Sequence, residues 1–146
     1  MPTRAGSPGA MVDRDVLCSK TERVLHHVAR LRARAPLEPA VLEADEDLLS
    51  VVALDLQQAV QACIDLAVHA CADGGLGLPT GPADAFSRLA RAGFIDQALA
   101  TRLAGAAGLH NLIVHRYGDL DCARLAALVP HDLGDLEVFV AAMRDA

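Results

Sequence analysis

Aromatic and β-branched residues are scarce in this 146-residue chain, which has no Trp, one Tyr, three Phe and three Ile. Strands favour those residue types, so there is little to build a sheet from. The four cysteines, at 18, 63, 71 and 122, form no C-x-x-C pair. Scattered in this way they read as reduced thiols, mostly small core fillers, and not as a disulfide framework or a zinc site. Long uninterrupted apolar runs are also missing, and each falls far short of the ~18–20 residues that span a bilayer. The stretch Met1 to Ala10 has no apolar core of a signal peptide, so a cytoplasmic protein with no membrane partner is expected. Positive charge is in short supply. Thirteen Lys+Arg stand against 19 Asp+Glu, a net charge of −6. That balance argues against coating long nucleic acid by counterion release but leaves room for a local phosphate site. There is no G-x-S-x-G elbow, and the glycine-rich run from Gly74 to Gly81 lacks the G-K-[ST] of a phosphate loop, so it reads as a turn.

What the chain does have is helix-forming apolar material. Hydrophobic residues make up 53%, led by 28 Ala and 22 Leu, with 13 Val. The expectation is an all-α protein, an up-and-down bundle of four or five helices. Residues 1–12, rich in Pro, Gly and Ser, form a flexible N-terminus; residues 13–146 form a single helical domain. Leu17, Val24, Val28 and Leu31 predict a first helix over about 13–34, interrupted by Pro36 and Pro39. A long second helix is predicted over about 43–73. Its inner row Leu49, Val52, Leu56, Ala59, Cys63, Leu66 and Ala70 steps by three and four, as in a helix packed lengthwise. Pro82 suits the first turn of a short third helix, and Asp96 caps a fourth that reaches about Tyr117. Asp121 caps a fifth, which Pro130 should kink or split. No Lys or Arg lies between Arg34 and Arg88, whereas nine Asp/Glu do, which reads as a solvated acidic face or a surface for a basic partner. His26, His27 and His69 read as surface or core-edge residues without a partner pattern, and Asp65, between Ile64 and Leu66, as a buried, paired carboxylate with a structural role.

The chemistry-bearing stretch is Gly108-Leu-His110-Asn111-Leu-Ile-Val-His115-Arg116-Tyr117-Gly118-Asp119-Leu-Asp121. Asn111 and His115 are four apart and share a helical face. Two imidazoles, an amide and a phenol could supply a base, an acid and donors to phosphate oxygens. The same residues, by spacing alone, could simply cap carbonyls at a helix end. His110 and His115 are five apart, not the i,i+4 pair of a helical zinc site, so no metal is expected there.

The chain resembles the HepT-like ribonuclease toxins of the HEPN superfamily, which are partnered by minimal nucleotidyltransferase antitoxins. The resemblance runs over about 13–143. It rests on Asp55-Leu-Gln-Gln-Ala-Val-Gln-Ala-Cys-Ile-Asp65, on Phe86 to Ile95, and above all on Leu109 to Tyr117 followed by Asp121. The family motif is R-N-x-x-V-H-x-Y; Asn111, Val114, His115 and Tyr117 match it, and His110 stands where the family has Arg.

The resemblance implies a HEPN-like homodimer with single-stranded RNA at the dimer cleft. It also implies a metal-independent endoribonuclease, needing no cofactor, that cleaves by attack of the ribose 2′-OH. His115, His110 and Asn111 would be the catalytic residues, and the cognate antitoxin would attach AMP to Tyr117. His110 sets this chain apart. Guanidinium is always charged and forks onto two oxygens, whereas an imidazole of ordinary pKa near 6.5 is charged only about a quarter of the time at pH 7. The alternative is therefore a weakened HEPN module that binds a nucleotide or its nucleotidyltransferase without cutting RNA.

Overall fold

The computed structural model describes residues 14–115 and 121–145. Among them are six helices and no strand: α1 (Arg14–Ala33), α2 (Pro39–Ala44), α3 (Glu46–Asp73), α4 (Pro82–Arg91), α5 (Gln97–His115) and α6 (Cys122–Arg144). The four long helices, α1, α3, α5 and α6, make the expected bundle. The N-terminal residues expected to be flexible lie outside the described part.

α3 is the axis around which the others assemble. Asp45 caps it, its Oδ1 accepting the Leu48 N–H at 3.0 Å, and Glu46 and Asp47 follow at the positive end of the helix dipole. The predicted inner row is buried from Val52 to Ala70, with Leu49 half-buried. Burial extends beyond it to Ala53, Val60, Ala62, Ile64, Ala67 and Cys71, because α1, α2, α4, α5 and α6 all pack against this helix. α3 is consequently apolar enough over an 18-residue window to cross a membrane by composition, although most of that window is buried in the bundle. Gly75 at φ +69° ends it in a left-handed turn. The Leu76 N–H donates to the Cys71 carbonyl at 2.8 Å and closes the turn. α4 ends the same way at Gly93, φ +88°, with the Phe94 N–H on the Leu89 carbonyl at 3.0 Å.

The loop before α4 is pinned and not loose. Asp84 accepts the Thr80 N–H at 2.9 Å and Arg88 Nε at 2.8 Å, and Arg88 Nη1 reaches the Leu76 carbonyl at 2.6 Å. The Thr80 amide first, and Arg88 next, hold the Asp84 carboxyl below the usual carboxylate range. α4 also does more than link: its Phe86 is buried edge-on to Phe139 of α6, with ring centroids 5.4 Å apart.

Three expectations need correction. Residues 39–44 form a short helix of their own, with Pro39 in its first turn and Leu42 buried, so the long helix begins at Glu46 and not near 43. Pro130 does not split α6, which is one helix from Cys122 to Arg144. Pro130 faces solvent, and buried Val129, Leu133, Leu136 and Phe139 hold the helix on both sides of it. That burial offsets the ~3 kcal/mol that an internal proline costs. His27 does have a partner: its Nδ1 lies 2.7 Å from the buried Asp55 carboxylate, which also accepts Arg30 Nε at 2.8 Å. Asp65 is paired as expected, with Lys20 at 3.1 Å and Gln61 at 2.9 Å, but it is half-exposed. Cys63, Cys71 and Cys122 are buried free thiols, and burial pushes the Cys63 thiol far up.

Candidate functional site

The motif begins in the last two turns of α5, which hold its residues as far as His115. Asp96 starts that helix, its Oδ1 accepting the Leu99 N–H at 2.7 Å, and buried Leu99, Leu103, Ala106 and Leu109 seat it on the bundle. His110 and Asn111 lie on the helix and His115 is its last residue. At 3.6 residues per turn Asn111 and His115 fall within ~40° of one another, whereas position 110 sits ~140° round from His115. Asn111 is exposed. Position 110 continues the i+4 row of Arg102 and Ala106. Tyr117 lies outside the described residues.

α6 takes up the chain directly after this segment. Asp121 Oδ1 accepts the Ala123 N–H at 2.9 Å and the Arg124 N–H at 3.3 Å. The carboxylate thus fills the anion-binding end of α6 itself and fixes where that helix begins. α6 then runs back along α5, and Arg102 Nε meets Asp135 Oδ1 at 3.0 Å. Between the two helices lies a cleft of about 290 Å³ lined by Arg102, Gly105, Arg124, His131, Asp132 and Asp135.

Asp132 was missed in the sequence. It belongs to the inner row Leu125, Val129, Asp132, Leu136 and is 8% exposed. A carboxylate at a core step of a helix was the available signal. Burial first, and Asp135 next, raise its pKa from 3.8 to about 6, opposed by His131. Asp55 was missed for the same reason. It sits 4% exposed at the α1–α3 seam with its second oxygen unpartnered among the described residues. Its setting is structural, since its donors come from α1 and not from the α5–α6 pair. No group of three or more His, Cys, Asp or Glu among the described residues is arranged to hold a metal ion.

The sequence profile of a protein family described as ribonuclease HepT-like matches residues 24–143. The chain is 31% identical over 126 residues to the mRNA nuclease HepT of Shewanella oneidensis, covering 86% of this chain and 94% of that one. Its fold is similar to that of a tri-AMPylated Shewanella oneidensis HEPN toxin solved in complex with MNT antitoxin. There the TM-score is 0.83 at 29% identity, over 92% of this chain and all of the other. A toxin–antitoxin structure with AMP-PNP gives a TM-score of 0.81 at 28% identity, over 90% of this chain and 99% of the other.

Proposed function

Because the chain belongs to the ribonuclease HepT-like family, we propose that it is the endoribonuclease toxin of a toxin–antitoxin pair, acting in the cytoplasm. The observation that carries this is the last two turns of α5: Asn111 and His115 share a face of a helix seated on the bundle, in the order of the family motif. The relative named as an mRNA nuclease, similar over nearly its whole length, supports RNA as the substrate.

The chemistry follows from the residue types. Neutral His115 takes the proton of a ribose 2′-OH, whose oxygen attacks the adjacent phosphorus. The P–O5′ bond breaks, leaving a 2′,3′-cyclic phosphate and a 5′-hydroxyl that receives a proton. Protonated His110, standing where the family has Arg, can supply that proton. The Asn111 amide donates to a non-bridging oxygen where charge gathers, a type of contact worth about 10²–10³ in rate. No metal takes part in these steps.

The exposed row of α5, Ala98, Thr101, Gly105 and Gly108, carries little bulk. A second copy docked there would bring two motifs together across a two-fold axis, with the RNA strand in the cleft between them. A minimal nucleotidyltransferase antitoxin would silence the site by attaching AMP to Tyr117, putting negative charge where the substrate phosphate must sit. The similar toxin solved tri-AMPylated with MNT antitoxin supports that reading. His110 favours a second reading, a module that binds without cutting, because an imidazole replaces an always-charged fork.

Purified protein incubated with labelled RNA and chelator should cut it, and His115→Ala should not. Co-expression with a nucleotidyltransferase antitoxin should add AMP to Tyr117 and none to a Tyr117→Phe variant. RNA left intact by the unaltered chain would favour the binding module.

A further inference from the structure

The cleft between α5 and α6 has no part in the steps above. Gly105, exposed on α5, is part of its lining, and a Cβ there would meet no atom within 4 Å. Arg102 and Asp135 are also in its lining, bonded to each other at 3.0 Å. Arg124, three residues after the Asp121 cap, also lines it. Asp132 lines it as well. It is more than nine-tenths buried, and no hydrogen bond among the described residues reaches its carboxylate.

A carboxylate of a buried residue that opens onto a cleft and has no side-chain donor of its own is placed to accept one from outside. The neighbours do not serve: Arg102 is engaged by Asp135, while Arg124 and His131 are exposed on the rim. Two guanidiniums nearby disfavour a metal cation. A volume of about 290 Å³ lies at the bottom of the ~300–1,000 Å³ range of ligand pockets, enough for one nucleobase and not for a stretch of strand. What fits is a planar group with N–H donors on one edge, attached to a phosphate that a rim arginine can meet.

On the ribonuclease reading above, we infer that this cleft is a base-specificity subsite. Asp132 accepts the N1–H and N2–H of a guanine flanking the cleaved bond, and Arg124 meets that nucleotide's phosphate. Guanine alone among the four bases offers a carboxylate two adjacent N–H donors on its Watson–Crick edge. Adenine and cytosine place a ring acceptor beside their amino group, and uracil flanks its one N–H with carbonyls. Both of these repel a carboxylate. With a pKa of about 6, Asp132 is mostly in its acceptor form at pH 7. A carboxylate that meets a ring acceptor or carbonyl in place of an N–H disfavours the wrong base.

The test uses the full chain on unstructured RNA of mixed sequence, with cleavage ends mapped by sequencing. Guanine should be enriched about five-fold or more at one position flanking the cut. Inosine there, which keeps N1–H and lacks the 2-amino group, should lower cleavage several-fold. Asp132→Asn should bring the guanine ratio close to one. A cleaving enzyme with no base preference, or a preference that survives Asp132→Asn, overturns the subsite and points to a basic side chain of a protein partner as the occupant. If the chain cuts no RNA, the ribonuclease reading fails and the subsite is read by binding instead. Tighter anisotropy binding of a guanosine pentanucleotide than of its inosine counterpart upholds it, and equal affinity overturns it.

Discussion

Replacing Asp132 by Asn should stabilise this protein, and do so only above a definable pH. In the folded chain the Asp132 pKa is pushed from 3.8 to about 6, chiefly by burial. At 1.36 kcal/mol per pH unit, a difference of about two units is worth ~3 kcal/mol against folding once the group is ionised. The cleft opens to water beside it, and screening reduces that to ~1–2 kcal/mol. The sign follows from proton binding. Between pH 4 and 6 the folded state holds a proton that the unfolded chain has lost, so stability falls as pH rises through that window and levels off above about 7. Asn never ionises and escapes the fall. Thermal melts of both proteins should therefore show the advantage of Asp132→Asn growing by ~1–2 kcal/mol from pH 4.5 to 7.5. For a chain of this size that is a relative gain of about 3–6 °C in Tm. Constant amide and packing effects cancel in the difference between the two pH values. An advantage that is flat with pH, or that shrinks as pH rises, would refute the reasoning and show that Asp132 has a donor in the folded state. The stability given up here is what the proposed base subsite would cost.

Asp55→Ala should lower stability by ~2 kcal/mol, because it removes the acceptor shared by His27 and Arg30 and opens a small void at the α1–α3 seam; an unchanged urea midpoint would contradict this. Pro130→Ala should stabilise by ~1–2 kcal/mol, since the new N–H can bond the Ala126 carbonyl and outweighs the ~0.4–1 kcal/mol lost through a freer unfolded chain. Equal or lower Tm would mean that α6 is already relaxed around the proline. RNA cleavage should follow a bell-shaped pH curve, with the acidic limb set by a base that must be neutral and the alkaline limb by an imidazole that must stay charged. His110→Arg should remove the alkaline limb and raise activity at pH 8; a rate already flat from pH 6 to 8.5 would dismiss His110 as a stand-in for arginine.

Ala, Leu and Val at steps of three and four, with few aromatics, were enough to determine an all-α bundle and most helix bounds. These are local and periodic properties. The caps at Asp96 and Asp121 and the stop at Gly74-Gly75 were legible because each acts on the backbone within a few residues. The order Asn111, His115, Tyr117 was legible for a different reason: a motif is a linear string, whatever surrounds it. Only the tertiary structure decided the rest. Pro130 stays inside one helix because buried residues on either side of it are held by other helices, a balance that local propensity does not contain. Leu42 makes a helix of six residues worth forming only by burial in the bundle. Asp55 and Asp132 read locally as two more acidic residues in an acidic chain. Their partners, or the lack of them, come from residues 25 and 28 positions away at the α1–α3 seam and from the facing side of α5. Desolvation is a property of that assembled environment, and it turns the one into a structural clamp and the other into an acceptor waiting for a donor.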